Sequence, residues 1–180
     1  KKYSLYKLFR SLSDRGKPFF KKKFNFKNSE ALQFASLNFN IDEVSSAIGS
    51  TVIDRLDTII KKRKIIVKKI NKKLNNLDLI LKNNLEIKNS KTSYFFHTIK
   101  IDLNKISVSK NTFVKALISE GIDINGNFKD IVSEWGWLKK HTGKKLTTIN
   151  ANNFRDTSIN ILFNENYKDK DINNIYAAFR

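Results

Sequence analysis

The stretch NIDEVSSAIGSTVIDRLDTIIKKRKIIVKKINKKL, residues 40–74, is where the fold is decided. Apolar residues recur in it every three or four positions, at Val44, Ala47, Ile48, Val52, Leu56, Ile59, Ile60, Val67, Ile70 and Leu74. Lys61, Lys62, Arg63, Lys68, Lys69, Lys72 and Lys73 fall mostly between them. A period near 3.6 is the mark of an amphipathic helix. Asn40 is placed to cap it, Glu43 follows three residues later as in a capping box, and Asp42 adds an acidic group to the first turn. The pattern predicts one helix of about 35 residues, longer than globular helices usually run. A helix of that length is expected to join two domains or line a subunit seam.

Upstream, Leu5, Leu8, Phe9 and Leu12 share helical spacing, and Asp14-Arg15-Gly16-Lys17-Pro18 breaks it, which predicts a short helix ending near Ser13. The run from Phe19 to Ser29 mixes Phe and Lys without a period and reads as an irregular excursion. Downstream, Asn75 to Ser90 reads as a connection with a short apolar segment, Leu77 to Leu81. Tyr94 to Asp102 is rich in aromatic and β-branched residues and predicts a strand. Ser109 caps a predicted helix with Phe113, Val114, Leu117 and Ile118 as its stripe, closed by Gly121. Ile122 to Ile124 predicts a short strand entering a turn at Asn125-Gly126. The segment around Trp135 and Trp137 and the polar residues through Asn153 read as loop. Ser158 to Phe163 predicts a strand, and a terminal helix from Lys170 carries Ile172, Ile175, Tyr176 and Phe179 on one face. Helices followed by a few interspersed strands describe an α+β domain with a small antiparallel sheet.

The chain has 180 residues, and its 40% hydrophobic content suffices for a core. It has no Cys, which excludes disulfides, thiolate metal sites and cysteine nucleophiles, and its two His leave little for a zinc centre. No apolar run approaches the roughly 20 residues of a membrane span, so a cytoplasmic setting without a membrane partner is expected. Lys and Arg number 35 against 17 acidic residues, a net charge of +18 that suggests a polyanionic partner. The abundance of Lys, Asn and Ile, with only 6 Gly and 1 Pro, is also what an AT-rich coding sequence produces, and charge of that origin spreads over every surface. The chain opens Lys1-Lys2-Tyr3 and contains no Met, which leads us to expect a piece of a longer protein.

Few residues carry chemistry by themselves. His97 lies within a strand pattern and His141 among lysines, and neither has a second ligand at metal-binding spacing, so structural or surface roles are expected. Asp42-Glu43 resembles a carboxylate pair only in sequence, and helix capping accounts for it. Gly16-Lys17 lacks the upstream glycine and following hydroxyl residue of a phosphate-cradling loop. Phe19 to Lys27 suits either base stacking under a cationic groove or Phe packing beneath a neighbouring domain. The lysines of residues 61–73 suit either a phosphate-binding ridge or a solvated helix face.

Two segments resemble a known pattern. Ser13-Asp14-Arg15-Gly16-Lys17-Pro18-Phe19, then Phe34-Ala35-Ser36-Leu37-Asn38-Phe39-Asn40-Ile41-Asp42-Glu43 and Ser46-Ala47-Ile48-Gly49, running on to Leu56-Asp57, resemble the region after the cofactor lysine in the DegT/DnrJ/StrS family. Ala116-Leu117-Ile118-Ser119-Glu120-Gly121-Ile122 is similar to that family's helix-to-strand step, and Ser158-Ile159-Asn160-Ile161 stands where it has a late Ser-Leu-Pro-Leu strand. The likeness runs the length of the chain and is dense over residues 13–63.

These are aminotransferases of nucleotide-linked keto-sugars that depend on pyridoxal 5′-phosphate. The resemblance implies the C-terminal part of an aspartate-aminotransferase-like fold. Residues 1–39 are expected to end the large cofactor domain with an interface loop, 40–76 to form the long connecting helix, and 77–180 to form the small C-terminal α+β domain with flanking helices. It further implies a homodimer with active sites at the subunit boundary, a nucleotide-sugar substrate and an amino-acid donor, expected to be glutamate. Asn38 takes the place of the family's phosphate contact to the neighbouring subunit's cofactor. Arg15, Lys17, Asn127 and Arg155 are substrate-binding candidates, the cations because guanidinium and ammonium groups suit a diphosphate. No catalytic residue is assigned to this segment, since the cofactor lysine, the aromatic residue that stacks on the ring and the Asp at the pyridine nitrogen have no counterpart here, so the segment alone is expected to be inactive. Asn127-Phe128 replaces the family's His-aromatic pair and Asn160 its late Pro. Two other readings stand beside this one: a basic nucleic-acid-binding module, and a non-catalytic sugar-binding remnant of the fold.

Overall fold

A computed structural model of the chain describes residues 2–21, 31–81, 89–126, 131–144 and 146–180. It divides into two compact units, one of residues 1–50 with 129–152, the other of residues 51–128 with 153–180. The elements in chain order are α1 (Lys2–Ser13), α2 (Glu43–Ile53), α3 (Leu56–Leu74), β1 (Ile80–Leu81), β2 (His97–Ile101), α4 (Lys110–Ser119), β3 (Ile124–Asn125), α5 (Gly136–Thr142), α6 (Ile149–Thr157), β4 (Ser158–Ile161) and α7 (Asp169–Phe179). The architecture is α+β with a small antiparallel sheet, as the pattern predicts.

The expected single helix over residues 40–74 is two helices. Arg55 leaves the helical region at φ −111° and ψ 7°, separating α2 from α3. Thr51, Val52 and Ile53 are consecutive β-branched residues followed by Asp54, all of low helix propensity, so apolar spacing carries across a point that the backbone does not. The cap also shifts. Oδ1 of Asp42 accepts from the Ser45 amide at 2.8 Å and Oδ2 from the Ser45 hydroxyl at 2.8 Å, so Asp42 and not Asn40 starts α2. The apolar positions of α2 remain uncovered, with Val44 at 69% and Ile48 at 59% exposure.

In the second unit the strand order is β1-β2-β4-β3, antiparallel throughout. His97 pairs with Ile161 and Ile99 with Ile159, so these share one face, while Thr98 with Asn160 and Lys100 with Ser158 share the other. On the first face the core gathers Ile99, Ile101, Ile159 and Ile161 with Ile66, Val67, Ile70 and Leu74 of α3 and Ile172, Ile175 and Phe179 of α7. The lysines of α3 stay outside, Lys61, Lys62, Lys64, Lys68, Lys69 and Lys72 all being exposed. Helix α4 is capped by the Ser109 hydroxyl, which accepts from the Thr112 amide, and Gly121 follows it at φ +81°. Val114 and Leu117 are buried in its predicted stripe, whereas Ile118 is 51% exposed.

Other boundaries move. The apolar Leu77–Leu81 segment supplies the edge strand β1, and the expected strand from Tyr94 shortens to β2 because Tyr94 takes φ +50°. The expected loop around the tryptophans contains α5, closed by Gly143 at φ +66°, and α6. Neither helix buries a whole residue, so neither shows an apolar period. Among the described residues no helix is long and apolar enough to cross a membrane, and no cluster of three His, Asp or Glu is placed to hold a metal.

Candidate functional site

Helix α1 ends where Ser13, Asp14 and Arg15 turn to pair with Leu37, Asn38 and Phe39. Asp14 and Asn38 form an isolated antiparallel bridge, the Arg15 amide donates to Leu37 O at 3.1 Å, and the Phe39 amide donates to Ser13 O at 2.9 Å. Gly16 makes the pairing possible, because its φ is +70° and a Cβ there would collide with the Phe34 carbonyl oxygen. Beneath the turn, the buried Ser11 hydroxyl donates to Lys17 O at 2.8 Å and accepts from Gln33 Nε2 at 3.3 Å. The Ser36 hydroxyl donates to Leu12 O.

Asp14 is the hub, with only 6% of its surface exposed. Its Oδ1 accepts from Arg15 Nε at 2.8 Å and its Oδ2 from Lys17 Nζ at 2.9 Å. Burial by itself would raise its pKa, but the hydrogen bonds from Lys17 and Arg15 and their positive charges outweigh that and hold the carboxyl below its usual value. The two candidate cations are therefore gathered around one carboxylate, leaving a net charge of +1 in the turn. Asn38 sits across the bridge with its residue exposed, offering a neutral amide donor from a fixed backbone.

Sequence reasoning passed over Asp14, although an acidic residue directly before two basic ones in a glycine turn is the signal that finds it. Arg155 belongs to the second unit, on α6, where its Nε bonds the neighbouring Asp156 at 2.9 Å. Lys110 was also missed. Its Nζ donates to Arg155 O at 2.6 Å and Ser158 O at 2.9 Å, closing the carboxyl end of α6. Burial pulls its pKa down. Asn127, with Phe128, lies outside the described residues, as does most of the Phe19–Lys27 stretch. Of that stretch, Phe19 and Phe20 are 36% and 40% exposed, with the Arg10 guanidinium 5.2 Å from the Phe19 ring centre and Lys7 Nζ 5.0 Å from that of Phe20. His97 is buried with its Nε2 2.7 Å from Asn71 Oδ1, and His141 is exposed on α5 with its ring edge-on to Trp137.

The sequence model of the DegT/DnrJ/EryC1/StrS aminotransferase family matches residues 3–180. No curated protein matches the chain. Among solved structures, the Helicobacter pylori aminotransferase PseC, involved in the biosynthesis of pseudoaminic acid, superposes with a TM-score of 0.64 at 15% identity, over 97% of this chain and 45% of its own. The PLP form of the sugar aminotransferase Spr1654 from Streptococcus pneumoniae gives 0.61 at 17% identity, over 99% and 43%. A GDP-4-keto-6-deoxymannose-3-dehydratase with a trapped PLP-glutamate geminal diamine gives 0.57 at 16% identity, over 98% and 48%. The chain thus spans less than half the length of these structures.

Proposed function

Because the chain belongs to the DegT/DnrJ/EryC1/StrS aminotransferase family, whose cofactor is pyridoxal 5′-phosphate, we propose that it is the C-terminal portion of an enzyme transferring an amino group from glutamate to a ketone on a nucleotide-linked deoxysugar. The observation that carries this reading is the family match across residues 3–180, supported by the fold shared with sugar aminotransferases. The same match favours it over a basic nucleic-acid module. Residues 1–39 then end the large domain, 40–76 connect, and 77–180 form the small domain of a homodimer.

The residues of the Asp14–Asn38 turn suit a phosphate. The exposed Asn38 carboxamide offers an N–H2 donor, the two cations are donors only, and Asp14 is matched by Arg15 and Lys17, so its charge does not repel an anion. In this reading the Asn38 amide donates to a phosphate oxygen of the partner subunit's cofactor. The backbone bonds between residues 13–15 and 37–39 hold that amide in position before the phosphate arrives, which spares the ordering cost at binding. Arg15 and Lys17 contribute a positive field, and Arg155 is a separate candidate for the substrate's diphosphate. Pyridoxal phosphate, when bound, supplies the electron sink for moving the amino group.

The test uses the full-length enzyme. Asn38→Ala is expected to weaken retention of pyridoxal phosphate by about tenfold or more, since a hydrogen bond to a charged group contributes about 1.5–3 kcal/mol. Unchanged retention removes that role from Asn38. Incubation with glutamate and a panel of nucleotide-linked keto-sugars, followed by mass spectrometry, is expected to yield an amino-sugar from at least one. If every keto-sugar is returned unaminated, the proposed activity fails.

A further inference from the structure

Within the second unit a cavity of about 510 Å³ lies between the carboxyl end of α3 and β2 with the residues just before it. Such a volume holds one small organic ring with its substituents. We propose that this cavity binds a neutral, polyhydroxylated ring, such as one saccharide unit, held by the side chains of Asn71, Asn75 and His97 and stacked on Phe95.

The wall of the cavity is set in advance. Tyr94 occupies φ +50°, a strained conformation for a residue with a side chain, and Arg63 holds it there by donating from Nη1 to Tyr94 O at 3.1 Å and Phe95 O at 3.3 Å. Arg63 is itself anchored to Glu165, its Nη2 lying 3.3 Å from Oε2. This bracing presents Phe95 at 80% exposure, on the rim of a cavity whose other side is polar. An aromatic face next to amides and hydroxyls suits a ring that has both C–H faces and hydroxyl edges.

The polar groups choose against an anion. Asn71 and Asn75 lie one turn apart at the end of α3, where the last carbonyls carry the negative end of the helix dipole. His97 Nε2 lies 2.7 Å from Asn71 Oδ1, an acceptor, so Nε2 carries the proton and Nδ1 remains an acceptor on a residue lining the cavity. Burial keeps this imidazole neutral, with a pKa of about 4. Among the described lining residues Lys100 is the one charged side chain. Acceptors and amides in excess of cations match hydroxyl donors better than a phosphate. Arg155, the candidate described in this unit, does not line the cavity, and the inference does not draw on the aminotransferase reading.

The experiment titrates the full-length protein with D-glucose, N-acetyl-D-glucosamine and L-rhamnose, and with uridine monophosphate as the anionic competitor, by calorimetry and ligand-observed NMR. Phe95→Ala and Asn75→Ala change exposed side chains, and unaltered circular dichroism and melting confirm that both fold. The expected result is saturable binding of at least one of the three sugars, weakened about tenfold or more by each substitution, a loss of about 1.4 kcal/mol. Absence of saturable sugar binding, sugar binding indifferent to both substitutions, or substitution-sensitive binding of uridine monophosphate in place of the sugars each overturns the proposal.

Discussion

Nε2 of His97 on β2 hydrogen-bonds Oδ1 of Asn71 on α3 at 2.7 Å, tying sheet to helix through a buried neutral imidazole. Burial lowers its pKa from 6.5 to about 4. The unfolded chain therefore takes up a proton near pH 6.5 that the folded chain refuses until about pH 4. The stability this contributes is complete above pH 6.5 and is lost as pH falls towards 4, by at most about 3 kcal/mol. Urea denaturation at about pH 7 and pH 4.5 should show this drop, and His97→Gln should remove much of it. An identical pH profile in that variant would assign the acid sensitivity to other groups.

Thr98 and Asn160 face each other across β2 and β4, and the Thr98 hydroxyl donates to Asn160 Oδ1 at 2.7 Å, with Asn160 only 2% exposed. Thr98→Val leaves that oxygen buried without its donor, which should cost about 1–3 kcal/mol. Adding Asn160→Leu to Thr98→Val removes the orphaned acceptor, so the pair should cost less than the sum of the singles. A double-mutant cycle returning a coupling energy of zero would show that the bond contributes nothing.

Gly16→Ala puts a side chain at φ +70° and a methyl group against the Phe34 carbonyl. Strain of that kind costs about 1–3 kcal/mol. The loss should show locally, as faster hydrogen exchange at the Arg15 and Phe39 amides that bond Leu37 O and Ser13 O. Exchange at wild-type rates would mean that the turn relaxes around the methyl group.

Asp14→Ala strips the carboxylate from Lys17, whose side chain is only 16% exposed, and from Arg15. Because the Asp14 pKa is lowered, its contribution is present above the ordinary carboxylate range and fades as pH falls through it. The substitution should therefore destabilise the first unit at neutral pH, and the gap from wild type should narrow in acid. Thermal melts run at both pH values measure it, and a gap that stays constant would count against the ion pairs as its source.

The second unit was legible because its elements carry strong local signals. Ser109 and Gly121 bracket α4, and Ile172, Ile175 and Phe179 mark the buried face of α7. What escaped was decided by features that hydrophobic spacing does not register. A β-branched run and one residue off the helical region divide α2 from α3, and α5 and α6 bury no whole residue to give them a period. In the first unit, Arg15 and Lys17 stood out as cations, and the acidic residue before them marked their partner, but nothing in the local pattern showed that Asp14 would be buried. Asn38 is a candidate only through the resemblance, since an amide before a helix has no local signature of its own. The cavity beside His97 depends on the left-handed Tyr94, a conformation that composition does not announce.

The position of β4 has a consequence for the order in which the chain is made. It lies between β2 and β3 in the sheet yet comes from residues 158–161, after the other strands among the described residues have been synthesised. While a ribosome is still adding residues before Ser158, β4, the strand that β2 and β3 both pair with, has yet to be made, and among the described strands β2 can pair with the short β1. Closing the sheet requires pairing Thr98 with Asn160 across 62 residues, a contact whose loop-closure cost delays folding. The second unit is thus built to fold late, once α7 also emerges to cover the core, and until then its isoleucine-rich strands are surface for a chaperone to hold.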